Sequence, residues 1–290
     1  MARADYPLLL EPALKRRAWG GGRLGEGVGE AWDLSVHPAG PSTVRNGALR
    51  DATLDDVVDS DPDAFGGPIE LLAKRLDCAQ PLSVQVHPKT GDPKTEAWVV
   101  LEAESGAGVY HGFAESVDAA AVRAATEQGT LRALLRFVPV QQGDAVFVPS
   151  GTVHGIGGGL QLFELQQSAD TTYRLYDWGS DRDTHLEQAL ECADLGACDP
   201  TPPPRRLDDR TERLLDTALF VVDRISGDGQ RTIEPGTAWR ALFLLEGSGR
   251  FGDVELSAPQ TVLLPAAAGA RAFRPDGAGS PWRALLYGPP

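Results

Sequence analysis

The sequence predicts a mainly β protein: a barrel or sandwich of antiparallel strands carrying helical inserts, followed by a smaller β-rich C-terminal domain. Three observations lead there. The apolar runs are short and bounded by turn residues, with 33 glycines and 22 prolines distributed over 290 residues. Helical periodicity is confined to a few segments, which suits helices inserted into a β framework. At 199–206 the composition changes to "DPTPPPRR", whose three consecutive prolines form a stiff extended connector.

The strand-length runs are "AWVVLEA" (97–103), "DAVFVPS" (144–150), "LQLFELQ" (160–166), "ALFLLEG" (241–247) and "TVLLPAA" (261–267). Helical patterns occupy "TLDDVVDSDPDAFG" (53–66), "PIELLAKRLD" (68–77), "SVDAAAVRAATEQGTLRALLRFV" (116–138) and "THLEQALECADLG" (184–196). The third has Val117, Ala121, Leu131 and Leu135 among its apolar positions and Ser116 as its N-cap. The connector divides the chain into domains at 1–198 and 207–290. "GDAVFVPSGTVHGI" and "PQTVLLPAAAGARAF" echo one another as a strand, a proline and small residues. The second copy has no histidine, so the C-terminal domain is expected to be a jelly roll without a metal.

A formal charge of −14 and a pI near 4.8 argue against nucleic acid and anionic membranes as partners. An anionic small molecule fits only if local cations override the global field. The three cysteines, Cys78, Cys192 and Cys198, have no metal-binding spacing and suit a reducing compartment. With no apolar run of signal-peptide or membrane-span length, the expectation is a soluble cytoplasmic protein, monomeric or homodimeric.

Chemistry concentrates in two segments. In "LSVQVHPKTGDPKTEAW" (82–98), Leu82, Val84 and Val86 alternate with Ser83, Gln85 and His87. One strand face is therefore aliphatic, and the other carries a hydroxyl, an amide and an imidazole. Lys94, Glu96 and Trp98 share a face if the next strand begins near 94. In "GDAVFVPSGTVHGIGGG" (143–159), Gly143, Pro149, Gly151 and His154 are spaced G-x5-P-x-G-x2-H, which resembles the second motif of the cupin superfamily of small jelly-roll barrels. Gly143 and Asp144 make a turn, "AVFV" a strand, and Pro149 and Gly151 a bend that aims His154 inward.

Two imidazoles, a carboxylate and an amide oxygen form a mixed N/O donor set suited to zinc, with manganese, iron or cobalt as alternatives. The set contains no cysteine, unlike most structural zinc sites. Its single carboxylate leaves a dication with net positive charge, which favours Lewis-acid work on an oxygen-rich ligand. Glu164 follows Leu160 and Leu162 on one strand face, so a carboxylate stands where an apolar side chain is expected. It needs a partner, from Arg174 or the metal region.

"PLSVQVHPK", "KTEAW", "VPSGTVHGIGGG" and "ELQQSADTTYRLYDWG" together resemble the type I mannose-6-phosphate isomerases in their short bacterial form. "RAWGGGRL", "GEAWDLSVHPAG", "VRNGALRDATLDDV" and "LLAKRLDCAQPLS" extend the likeness over roughly the first 180 residues. The resemblance implies metal ligands at Gln85, His87, Glu96 and His154, and a phosphosugar pocket using Lys74, Ser83, Lys94 and Arg174. It implies that the sugar opens to its chain form, that zinc polarises the oxygens at C1 and C2, and that a base moves a proton between these carbons through a cis-enediol. Glu164 is the expected acid or base, with Lys94 and Arg174 also at the reacting centre.

Three other functions fit parts of the same pattern: an isomerase of an unphosphorylated sugar, an iron-dependent cupin oxygenase and a non-catalytic sugar-binding cupin. The four phosphate-pocket residues argue against the first, and the glutamine amide is foreign to the usual ligand set of the second. Eight residues separate His87 from Glu96, a shorter loop than the family often has, which implies a more open pocket mouth. His37 is expected in a turn, His111 and His185 on the surface, and Trp19 in the core or lining the pocket. The C-terminal domain is expected to stabilise the barrel, or else to form a dimer contact.

Overall fold

The computed structural model describes residues 2–180 and 182–290, and its secondary structure is mainly β. By internal packing the chain divides into two units. One comprises the chain up to Ala13, Trp32–Leu72 and Pro202–Pro290; the other comprises Leu14–Ala31 and Ala73–Thr201.

The first unit holds an eight-stranded sheet in the order Arg205–Asp208, Thr211–Asp216, Val221–Gly227, Trp282–Gly288, Arg240–Glu246, Gln260–Leu264, Leu8–Glu11, Thr43–Val44. A four-stranded sheet, Arg231–Ile233, Arg271–Pro275, Ser248–Phe251 and Val254–Ser257, supplies the other half of its core. Leu242, Leu244, Val262 and Ala284 from the larger sheet meet Phe251, Leu256 and Phe273 from the smaller, which is the apolar interior of a sheet-on-sheet domain.

The second unit is built the same way and carries the chemistry. Its six-stranded sheet runs Ala145–Val148, Glu96–Ala103, Leu160–Gln167, Leu71–Cys78, Ala13–Gly21, Val28–Leu34. A five-stranded sheet runs Tyr173–Tyr176, Val84–Val86, His154–Ile156, Gly108–Phe113, Leu135–Pro139. Leu76, Trp98, Val100, Val146, Val148, Leu160 and Leu162 of the first sheet pack against Val109 and Ile156 of the second. The outer face of the five-stranded sheet presents Val84, Val86, Tyr110 and Leu175 to Val122 and Ala125 of the helix Ala119–Glu127 and Ala189 of the helix Leu186–Cys192. The aliphatic face of "LSVQV" therefore lies under helices, and its polar face is turned inward.

Two expectations are corrected. "PIELLAKRLD" is not a helix: Leu71–Cys78 is a strand buried along nearly its whole length. Its Leu, Ala, Lys and Arg residues favour helix, but paired strands on both sides satisfy its backbone, and that tertiary context overrides propensity. The helix predicted to start at Ser116 is capped by Asp118, whose carboxylate accepts a hydrogen bond from Ala121 N–H at 2.7 Å. Beyond it the pattern breaks into a short 3-10 turn, Leu131–Leu134, and the strand Leu135–Pro139. Among the described residues no helix is long and apolar enough to cross a membrane.

Candidate active site

The polar end of the second unit's interior is assembled by strand register. In the five-stranded sheet, Arg174 lies opposite Gln85, and Gln85 opposite His154. In the six-stranded sheet, Gln166 lies opposite Glu96, and Glu164 opposite Trp98. Because directly opposed residues share a face, each register row carries its polar groups toward one side. Gly143 and Gly151 both have φ of +91°, a conformation that favours glycine, and the Gly151 N–H donates to the His87 carbonyl at 2.9 Å. That bend carries the chain into His154.

His87, Glu96 and His154 come together, fully buried, with their ligand atoms within 4.8 Å of one another. His87 Nε2 is 3.3 Å from Glu96 Oε2, and His154 Nε2 is 3.4 Å from Glu96 Oε1. Both rings are fixed from behind. His87 Nδ1 donates to the Thr171 carbonyl at 2.9 Å, and His154 Nδ1 donates to the Thr152 carbonyl at 2.8 Å. These bonds set both tautomers, so each Nε2 presents a lone pair to the cluster. The His154 lone pair accepts from the Gln85 amide at 3.2 Å, and the His87 lone pair accepts from the Lys94 ammonium at 3.2 Å. Gln85 thus turns its NH2 group to His154 and its Oε1 to Ser83, whose hydroxyl donates to it at 3.3 Å.

Beyond these three groups runs a buried chain of charges. Lys94 Nζ is 2.6 Å from Glu96 Oε2 and 3.5 Å from Glu164 Oε1, and Lys74 Nζ is 3.1 Å from Glu164 Oε1. The partners of Glu164 are therefore the two lysines. The Arg174 guanidinium donates instead to the Asp183 carbonyl at 2.7 Å, and its buried Nε has no hydrogen-bond partner among the described residues. Lys74 stands on a strand, on the same face as Leu76 and Cys78, rather than at the end of a helix. Burial pushes the Lys74 ammonium down, but Glu164, Glu30 and Glu96 outweigh it and raise its pKa.

Three features lay outside the sequence reading, at Gln166, His111 and His185, while Trp19 takes one of its two expected places. Gln166, two residues along the strand from Glu164, is buried beside Glu96; its NH2 donates to the Gln167 and Ala169 carbonyls at 2.9 and 3.1 Å, and its Oε1 has no hydrogen-bond partner among the described residues. Its same-face spacing from Glu164 was the available signal. His111 is buried rather than exposed, donating through Nε2 to the Phe147 carbonyl at 2.8 Å, so it ties the Gly108–Phe113 strand to Ala145–Val148. His185 is half-buried, and its Nδ1 accepts from Arg174 N–H at 3.2 Å. Trp19 belongs to the apolar core.

The site is sensitive to acid. Burial drives His154 from the ordinary 6.5 down to about 3, against the attraction of Glu96. Burial also pushes the Glu96 carboxyl up, but the adjacent Lys94 ammonium outweighs it and holds it well below the ordinary 4.5. A depressed folded-state pKa means that the unfolded chain takes up protons first as the pH falls. The His154 contribution to stability is thus complete above pH 6.5 and is lost toward pH 3; the Glu96 contribution is complete above 4.5 and is lost below it. Each group adds a slope of up to about 1.4 kcal/mol per pH unit. Denaturant unfolding of metal-free protein should therefore show stability falling between pH 6.5 and 4.5, and His154→Gln should flatten that limb. An unchanged slope in the variant would remove His154 as its source.

The profile of phosphomannose isomerase type I, catalytic domain, matches residues 8–105. The mannose-6-phosphate isomerase of Streptococcus mutans is 34% identical over 273 residues, covering 84% of this chain and 86% of that protein. The mannose-6-phosphate isomerase ManA of Bacillus subtilis is 33% identical over 278 residues, covering 84% and 87%. The crystal structure of a mannose 6-phosphate isomerase from Bacillus subtilis superposes with a TM-score of 0.89 at 26% identity, covering 98% of this chain and 99% of the other. The strand order that gathers His87, Glu96 and His154 is accompanied by sequence identity along most of the chain's length, and the chain belongs to the type I phosphomannose isomerase family.

Proposed function

We propose that this protein is a metal-dependent aldose–ketose isomerase that interconverts mannose 6-phosphate and fructose 6-phosphate. The observation that carries the reading is the buried His87, Glu96 and His154 group joined by ion pairs to Lys94, Glu164 and Lys74. Named relatives supply the substrate.

The donor set fits a divalent metal. Two imidazole lone pairs face one carboxylate, and Glu96 Oε2 is buried without a hydrogen bond of good geometry. We assign His87, Glu96 and His154, with Gln85 once its amide turns its oxygen toward them, to hold zinc or another divalent ion, which would supply Lewis-acid polarisation of the sugar oxygens at C1 and C2. Lys74 and Lys94 bring two positive charges and Glu96 and Glu164 two negative ones, so these four side chains cancel. A dication held by the same group would leave these groups net positive, opposite in sign to a phosphate dianion within an acidic protein.

Lys74, Lys94, Ser83 and Arg174 then anchor the phosphosugar, and that binding energy orients the reacting carbons. Glu164 takes the proton from C2 of the open-chain aldose and returns it to C1, while the proton of the C2 hydroxyl passes to the C1 oxygen, so that the carbonyl moves from C1 to C2. Lys94 stabilises the negative charge that develops between these steps. We assign residues 207–290 to a supporting role without catalytic side chains.

A coupled assay tests this. Purified protein should convert mannose 6-phosphate to fructose 6-phosphate, lose activity to a chelator and regain it with zinc. Its kcat/KM for free mannose should be lower by about one to two decades, the scale of a lost charge-assisted phosphate contact. No conversion by fully metal-loaded protein would refute the isomerase reading. Equal use of both sugars would refute the phosphate pocket alone.

A further inference from the structure

We propose that Asp92, through Thr171, positions the metal-ligating ring of His87; this rests on the metal reading above. His87 follows the strand Val84–Val86, and its ring is fixed at Nδ1 by the Thr171 carbonyl at 2.9 Å. Thr171 lies in the irregular connection between the strands Leu160–Gln167 and Tyr173–Tyr176, so strand pairing does not hold that carbonyl. Asp92 does. Its Oδ2 accepts from the Thr171 hydroxyl at 2.6 Å, from Thr171 N–H at 3.1 Å and from Asp170 N–H at 3.4 Å. A carboxylate gripping one residue by both its N–H and its hydroxyl, in charge-assisted bonds, limits how that residue can turn.

The connection is also anchored upstream, where Gln167 N–H donates to the Thr95 carbonyl at 3.1 Å and Thr95 N–H donates to Gln167 Oε1 at 3.0 Å. Asp92 adds the grip nearest to the carbonyl that His87 uses. Pro93 follows it and favours an extended Asp92 backbone, which stiffens the approach. Asp92 sits in the eight-residue loop that joins His87 to Glu96. The loop that links two proposed ligands thus reaches across to the residue that orients one of them. Asp92 is exposed and holds the His87 ring at one remove, so it is a positioning residue. Without its grip the Thr171 carbonyl would wander, and the His87 tautomer and ring angle with it.

The test is zinc affinity, measured on the metal-stripped full chain by competition with a chromophoric chelator, alongside thermal unfolding of the metal-free forms. Asp92→Ala and Thr171→Val should each weaken zinc binding about tenfold or more, with metal-free unfolding unchanged. Asp92→Asn, which keeps an acceptor oxygen, should recover most of that loss. His87→Ala serves as the reference for a lost ligand. If Asp92→Ala and Thr171→Val bind zinc as tightly as the unaltered chain while His87→Ala does not, the positioning role is overturned and the metal reading stands. If His87→Ala also binds zinc as tightly as the unaltered chain, both are overturned. Should Asp92→Ala fail to fold, Thr171→Val alone decides.

Discussion

His154→Ala should abolish turnover and strip the protein of its metal. His154 supplies one of only two imidazole lone pairs in the cluster, and the Thr152 carbonyl fixes that lone pair toward Glu96. The Ala variant retains Glu96, His87 and Gln85, a poorer set for a borderline-soft dication. Turnover should fall by about three orders of magnitude, the scale expected when preorganised stabilisation of developing charge is removed. Truncation also leaves space beside Trp98, whose ring centroid lies 5.6 Å from that of His154, so a loss of packing must be separated from a loss of metal. His154→Leu does this, because it fills similar space without offering the metal a ligand atom. The paired measurements are metal content by elemental analysis and thermal unfolding of the metal-free chains. Full metal occupancy in a folded His154→Leu or His154→Ala variant would sink the assignment of this residue and leave Glu96, His87 and Gln85 to be tested separately.

The legible part of this fold is the part written in local pattern. "AWVVLEA", "DAVFVPS", "LQLFELQ", "ALFLLEG" and "TVLLPAA" all coincide with strands, because short apolar runs between turn residues have few alternatives in a β framework. The alternation in "LSVQV" foretold which side chains turn inward, and the glycines of "GDAVFVPSGTVHG" foretold the bend before His154. "PIELLAK" misled for a physical reason. A strand buried on both faces has no polar alternation, and its residues carry helix propensity that only pairing with distant strands can override. His111 misled because nothing in "GVYHGF" reports that a carbonyl from another strand waits for its Nε2. The charge chain was also hidden. Lys74, Lys94 and Glu164 are separated by tens of residues, and only the register of the six-stranded sheet makes them neighbours.

Lys74→Met should be the most destabilising of the charge changes, and a second substitution should reverse it. Lys74 and Glu164 are both buried, with Nζ and Oε1 3.1 Å apart; Lys94, at 3.5 Å, is the weaker of the two partners of Glu164. Removing the nearer cation leaves a desolvated carboxylate that Lys94 must serve while it also holds Glu96 at 2.6 Å. Breaking a buried pair in this way costs about 3–5 kcal/mol, whereas replacing both members with apolar groups of similar volume is often neutral. The double variant Lys74→Met/Glu164→Leu should therefore unfold at a denaturant midpoint near that of the unaltered chain, well above the Lys74→Met midpoint. Catalysis should not follow stability. The double variant lacks both the proposed phosphate contact and the proposed proton-transfer group, so its kcat/KM for mannose 6-phosphate should stay at or below that of Lys74→Met. Should the double variant prove as unstable as Lys74→Met, the cost would lie in lost packing of the lysine stem, and the ion pair would lose its standing as the source of the effect. A double variant that recovered activity together with stability would count against Glu164 as the group that carries the proton, and would leave Lys74 and Glu164 as a structural pair beneath a reaction performed by other residues.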